Sequence, residues 1–265
     1  MSILFEYIWM ALLGLGVGLF SAGLGLGGGV IMMPAFITFI PDMDIHTAKG
    51  TSLFIILLVA LASFSRVRQL QRIRPHYSAA LLLSAGAVVG GYLGAVVTTR
   101  VSERTILLLF IAFVLFMMWR LMVGEPKRVL KRATLHRNSL LLLIGVAAGV
   151  TGSATGTGGG SVLAPLLLVT GLLPHTQMVY SAIQVMIATS LAAAPAHFMA
   201  PQIYHDHYTI GHVCLGIVPV IFICAQAGVV LGARLNRDMP AARRRFWLAL
   251  VLAAAGLRMI AQLMV

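Results

Sequence analysis

Carboxylates are scarce in this chain. Asp and Glu together number 7 in 265 residues, and Glu6 alone falls well inside an apolar run, the others sitting in loops or at expected helix ends. Cation transport, or a proton relay built on carboxylates, therefore has little to work with. Charge of both signs is thin at 10% of residues; with 60% hydrophobic content and a mean hydropathy of +0.97, this excludes a water-soluble globule. Cysteine is nearly absent. Cys214 and Cys224 fall ten positions apart on one expected helix, so about 15 Å of rise keeps them out of disulfide reach. No Lys or Arg precedes the first apolar stretch, which argues for a retained first helix and against a cleaved signal peptide.

Long apolar runs are abundant. Ser78 to Val97, Ile106 to Met122 and Leu140 to Val150 carry no charge, and several approach the roughly 20 residues that a spanning helix needs. A closed β-barrel would instead show short alternations of polar and apolar residues. The expected class is an all-α polytopic membrane protein. Hydropathy and helix breakers divide the first half into Ile3 to Ala22, Gly28 to Ile40, Thr47 to Ser65, Tyr77 to Val97 and Thr105 to Val123. The second half reads Ser139 to Thr151, Gly159 to Thr170, Met178 to Met199, Tyr208 to Leu235 and Arg245 to Met264. Residues 124–138 are polar and basic and form the linker between a repeat of residues 1–123 and one of residues 139–265.

The repeat shows in the chain itself. At an offset of 131, Gly14, Gly18, Gly25, Gly27, Gly28, Gly29 and Pro34 fall on Gly145, Gly149, Gly156, Gly158, Gly159, Gly160 and Pro165. His76-Tyr77 falls on His207-Tyr208, and a two-residue slip pairs His46-Thr47 and Ser52 with His175-Thr176 and Ser181. Each half is thus expected to hold four long helices and one short helix set off by a glycine break.

The net charge of +12 would suggest nucleic acid in a soluble protein, but here it reads as topology. Basic residues gather in three loops: Arg66, Arg68, Arg72 and Arg74; Lys127, Arg128, Lys131, Arg132 and Arg137; and Arg234, Arg237, Arg243, Arg244 and Arg245. These are assigned to the inside, while the loops around Asp42 and Asp44 and from His197 to His212 are assigned outside. The loop between Ser65 and Tyr77 is then inside while its repeat partner, between Met199 and Tyr208, is outside. Inverted halves need an odd number of crossings each, and the glycine breaks supply it by making each first segment and its short follower a V-shaped pair. Both termini are expected outside. Arg100 and Arg104 against Glu103 run counter to this scheme.

Gly23 to Gly29 and Thr155 to Gly160 are the most informative stretches. Glycine at this density breaks a helix, and within a membrane the freed backbone must face protein or a wet cavity. Each stretch leads into a short helix whose N–H groups and positive dipole end favour an anion. Inverted halves would bring the two helix starts to one central site, the usual place for a secondary transporter's substrate. Tight packing through small residues explains Gly14 and Gly18 but not three glycines in a row. The candidate anion site comprises Gly25, Gly27, Gly28, Gly29, Gly158, Gly159 and Gly160, with the hydroxyls of Ser153, Thr155 and Thr157 close by. Thr51, Ser52, Ser181 and Gln184 occupy matching helix starts, and Lys49 either neutralises an anion or reaches the interface. Ser21, Gln226 and His197 are further polar residues in apolar surroundings; Tyr77, Tyr208, Trp119 and Trp247 read as interfacial belt residues. Gly23, Gly25 and Gly28 match G-x-G-x-x-G, but without a βαβ unit they make no dinucleotide site. No cofactor motif or ATP-binding motif is present, and His205-Asp206-His207 with His212 lacks the fixed spacing of a metal site.

The paired elements GLGLGGGVIMMP (Gly23 to Pro34) and ATGTGGGSVLAP (Ala154 to Pro165), followed by HTAKGTS (His46 to Ser52) and HTQMVYS (His175 to Ser181), resemble the TauE/SafE family of sulfite and organosulfonate exporters over essentially the whole chain. The resemblance implies a multi-pass carrier of the bacterial inner membrane that moves sulfite, or a sulfonate such as sulfoacetate, outward by alternating access. Its partners would be a small anion and the lipid bilayer, with no nucleic acid, and its energy would come from the substrate gradient, the membrane potential or protons. Tyr180 stands where the first half has Thr51, which makes Ser181 the safer symmetric counterpart. Two other readings stay open: an intramembrane hydrolase with Ser153 as nucleophile and His197 as base, and an anion channel.

Overall fold

A computed structural model of the chain describes residues 3–24, 28–70, 77–123, 134–170, 172–173, 175–204, 208–237 and 241–264. They form α1 (Ile3–Leu24), α2 (Gly29–Phe39), α3 (Ile45–Leu70), α4 (Tyr77–Thr98), α5 (Glu103–Val123), α6 (Thr134–Ala154), α7 (Gly160–Thr170), α8 (His175–Phe198), a two-stranded hairpin β1 (Thr209–Ile210) and β2 (Val213–Cys214), α9 (Val218–Arg237) and α10 (Ala241–Leu263). Among the described residues, six helices are long and apolar enough to cross a membrane, and the all-α multi-pass class expected from hydropathy holds. Each half carries four long helices and one of 11 residues, α2 or α7, which at about 1.5 Å per residue reaches roughly halfway through a bilayer. α6 begins at Thr134, so residues 134–138 of the expected linker are helical.

α3 and α8 are the most enclosed spans and pack against each other. Asp44 starts α3 by accepting the Thr47 N–H at 2.9 Å, an N-cap bond. Phe54 meets Phe198 edge-on with ring centroids 5.4 Å apart, and Phe64 stacks on Tyr180 at 5.1 Å. Advancing along α3 therefore retreats along α8, and the two run antiparallel.

The outer helices pair across the halves through glycine seams. On α1, a Cβ at Gly14 would lie 2.5 Å from the Ile221 carbonyl oxygen, and one at Gly18 would meet the Ala225 carbonyl, while Gly228 and Gly232 of α9 abut Leu15 and Leu19. The second seam has the same plan: Gly86, Gly90 and Gly94 of α4 lie on Leu142, Val146 and Val150 of α6, and Gly149 lies on Ala87. Residue numbers rise together on both sides of each seam, so both pairs are parallel. Small residues let the backbones close up where the bilayer supplies no hydrophobic drive between helices. Gly18→Leu and Gly149→Leu are each expected to lower the melting temperature in detergent, because overpacking a close contact costs about 1–3 kcal/mol. Gly16→Leu, which meets nothing within 4 Å, serves as the control. Equal melting of all three variants and the wild type would show that the seams do not hold the fold.

The expected single helix from Tyr208 to Leu235 is corrected at its start. Residues 209–214 form an antiparallel hairpin with Thr209 opposite Cys214 and Ile210 opposite Val213. Gly211 opens the two-residue turn at φ +57°, a conformation glycine adopts without strain, and β-branched residues flank it. Cys214 thus sits on a strand and Cys224 on the helix, and neither is in a disulfide. Tyr77, Trp119, Tyr208 and Trp247 are exposed on the surface, as belt residues require.

Candidate functional site

The second glycine stretch ends α6 and begins α7. Thr157 and Gly158 donate their N–H groups to the Gly152 carbonyl at 2.9 and 3.1 Å, capping α6, and Gly156, Gly158 and Gly159 hold φ of +72°, +75° and +81°. Side chains rarely tolerate that region, which is why glycine stands at all three positions. The capping bond takes the Gly158 N–H away from any ligand, a correction to the expected donor set. The N–H groups of Gly160, Ser161 and Val162, in the first turn of α7, have no carbonyl of their own helix to bond.

Both halves meet at this turn. The Cα of Gly29, at the start of α2, packs against the Gly156 carbonyl and the Thr157 backbone. From α3, Ser52 donates its hydroxyl to the Gly156 carbonyl at 2.9 Å, and Ile56 lies against Gly158. From α8, Met186 lies against Gly158 and Gly160, and Thr189 against Gly159. A run of buried hydroxyls lines the turn: Ser161 to Thr157 at 3.3 Å, Thr157 with Thr155 at 3.0 Å, and Thr155 to the Thr151 carbonyl at 2.7 Å.

Lys49 supplies the charge. Its side chain is 0% exposed, packs against Gly156, and directs its ammonium to the Thr98 hydroxyl at 2.8 Å and the Thr98 carbonyl at 3.2 Å. Among the described residues no carboxylate pairs with it. A lysine has three donors and a full charge, and burying that charge without a counter-ion is costly. A charge held there needs compensation, by a counter-ion or by loss of the proton. Beside it, a cleft of about 450 Å³ lies between α4, α5, α6 and α7, with Thr98, Thr151 and Thr155 among otherwise apolar walls.

The expected residues divide as follows. Lys49, Ser52, Gly29, Thr155, Thr157, Gly158, Gly159 and Gly160 converge on the turn. Thr51 is turned to the hairpin, where its hydroxyl accepts the Cys214 N–H at 2.9 Å. Gly28 packs on Val17, and Ser153 donates to the Val150 carbonyl of its own helix beside Gly94. Ser181 is buried on α8 and Gln184 carries a buried Oε1 without a partner. Gly25 and Gly27 lie outside the described residues, as do His205, Asp206 and His207. Thr98, Ser161 and Thr189 were absent from the expected set; only Ser161, next to the three glycines, carried a signal in the sequence. The hydrolase pair is not assembled, because both ring nitrogens of His197 are without a partner while Ser153 bonds its own helix.

Comparison with known proteins agrees with this picture. The sequence matches the family described as sulfite exporter TauE/SafE over residues 10–259. It is 23% identical to the "Probable membrane transporter protein YunE" of Bacillus subtilis over 261 residues, covering 88% of this chain and 90% of that one. It is 24% identical to a "Probable membrane transporter protein" of Methanocaldococcus jannaschii over 258 residues, covering 95% and 94%. A third relative, YdhB of Bacillus subtilis, bears the same description and is 24% identical over 257 residues, covering 95% and 97%.

Proposed function

The chain belongs to the sulfite exporter TauE/SafE family, a membrane transporter family by its relatives' names, and from that premise we propose that it carries a small sulfur-containing anion, sulfite or an organosulfonate such as sulfoacetate, outward across a bacterial inner membrane. The observation that carries this reading is the fully buried Lys49 ammonium, unmatched by any described carboxylate, set against the glycine turn where α2 and α7 begin. A sulfo group or sulfite bound there accepts from Lys49 and from the N–H groups of the first turn of α7, and the Thr155, Thr157 and Ser161 hydroxyls join it by rotating out of the chain that now leads to the Thr151 carbonyl. Ser181 and Gln184, buried on α8, are assigned to the same site in this reading.

Alternating access follows from two halves, residues 1–123 and 139–265, that rock about this point. Two features support their inversion. The equivalent helices α3 and α8 are antiparallel, and each half lends its first helix to a parallel pairing with the fourth helix of the other, α1 with α9 and α6 with α4. Impermeant labelling of single cysteines at the two ends of the chain in intact cells should find both outside.

The direct test is flux of radiolabelled sulfite, sulfoacetate and sulfate in proteoliposomes. Saturable movement stimulated by counter-substrate is the expected result. Unsaturable flux would mark a channel, and no flux of any of the three would remove the assignment of substrate.

A further inference from the structure

Three histidines from three elements gather next to Lys49, and the site proposed above does not use them. The His46 ring, at the start of α3, lies 5.2 Å from that of His212 in the hairpin turn, and His212 lies 5.8 Å from His197 near the end of α8. The group is fastened as a unit: the His212 N–H donates to the His197 carbonyl at 2.9 Å, and Gly50 lets α3 approach the His212 carbonyl and the His197 ring. All three side chains are buried, at 6%, 1% and 1% exposure. His197 has no partner on either ring nitrogen, and His46 has none on Nδ1. The charged groups facing them are Lys49 on α3 and Asp44 in the turn before it, with Glu103 of α5 facing Asp44 in turn. No group of described residues is arranged to hold a metal ion.

We infer that His46, His197 and His212 form a proton-binding site filled together with the anion beside Lys49, so that the proton is a co-substrate; the inference rests on the anion-carrier reading. With the anion site empty, an imidazolium would add a second positive charge to a buried region that already holds an unmatched ammonium. Consistent with this, the imidazole of His212, outside the spanning segments, is lowered to about 4 by burial first and by the charge of His46 next, with Lys49 adding to the effect and Asp44 and the Pro201 carbonyl opposing it. An anion at Lys49 reverses the balance and raises the proton affinity of the rings. Linkage makes this reciprocal. Anion affinity is then highest in acid and is lost as pH rises through the anion-bound pKa of the cluster. The step is proton addition to a ring nitrogen and its release on the far side, and it needs no other reactant. Outward movement of the pair is driven by the anion's own gradient.

The test uses the full chain in proteoliposomes and exchange of radiolabelled sulfoacetate and sulfite, with equal pH on both sides, across the range of about pH 5.5 to 8 in which histidine titrates. In the wild type the half-saturation concentration should rise with pH, by up to about tenfold per unit for one linked proton. His197→Gln and, independently, His46→Gln should flatten that rise by lifting the half-saturation concentration in acid towards the wild type's alkaline value. Titration of the anion itself is common to all three proteins, so their difference belongs to the cluster. A wild type and variants with the same pH dependence, exchange intact, would overturn the proton site and leave the carrier reading standing. No exchange of either anion by the wild type would overturn both.

Discussion

Lys49→Met is expected to bring anion transport to background while leaving the protein at least as stable as the wild type. The two effects separate because they have different physical origins. Removing one partner of a desolvated charge pair costs about 2–5 kcal/mol of binding, so affinity for the anion should fall by about two to three orders of magnitude at about 1.4 kcal/mol per tenfold. Without the anion the same ammonium is a buried charge held, among the described residues, by Thr98, and exchanging such a charge for an apolar side chain of similar length is often neutral or stabilising. Met is also the residue that the repeat places at the matching position, Met178. Lys49→Arg keeps the charge but brings a planar fork into a space shaped for a point charge, and it should retain part of the transport. The measurement is anion exchange beside thermal unfolding in detergent. A Met variant that transports normally would remove Lys49 from the site, and one that melts far lower would make it a structural residue.

The second large effect is expected at the turn itself. Gly159→Leu places a side chain on a residue at φ +81°, with its Cβ 2.5 Å from the Ala148 carbonyl oxygen. Gly29→Leu drives one into the Gly156 carbonyl from the other half. A left-handed backbone costs an L-residue about 1–2 kcal/mol, and forced overpacking adds about 1–3 kcal/mol. The protein relieves this by pushing α2 and α7 apart, which opens the distance across the site. Both variants should insert into the membrane in wild-type amount and show no saturable exchange. Wild-type exchange by the pair would mean that the meeting of the two glycine stretches is packing and nothing more.

Much of the architecture was legible because glycine and charge carry unambiguous physics in a bilayer. The unbroken runs gave the spans, and the two glycine stretches gave short helices α2 and α7 at the expected places. Lys49 stood out because a cation in an apolar segment needs a reason. The meeting of the two stretches was expected, but the distant side chains that join them were not legible. Thr98, 49 residues from Lys49, sits at the end of an ordinary apolar run, and nothing local in it announces a partner on α3. The Gly158 N–H looked available for an anion until the geometry of the α6 cap claimed it. The hairpin at Thr209 to Cys214 was hidden by its own composition, since Thr-Ile-Gly-His-Val-Cys reads as apolar continuation when hydropathy alone is weighed; the glycine between β-branched residues was the sign to heed. The histidines were visible singly, at 46, 197 and 212, and only tertiary structure makes them one group.

The glycine seams bear on how the protein is made. α4 finds its closest companion in α6 and α1 finds its own in α9, so the first half leaves the ribosome with two helices whose glycine-lined faces have nothing to close against. Domains that fold one after another during synthesis do not suit such a chain. The first half must wait in the lipid, held by the translocation machinery or by transient contacts, until the second arrives and the partners are exchanged. Cutting the chain between residues 123 and 134 and producing the pieces together should therefore rebuild the transporter, whereas either piece alone should be degraded.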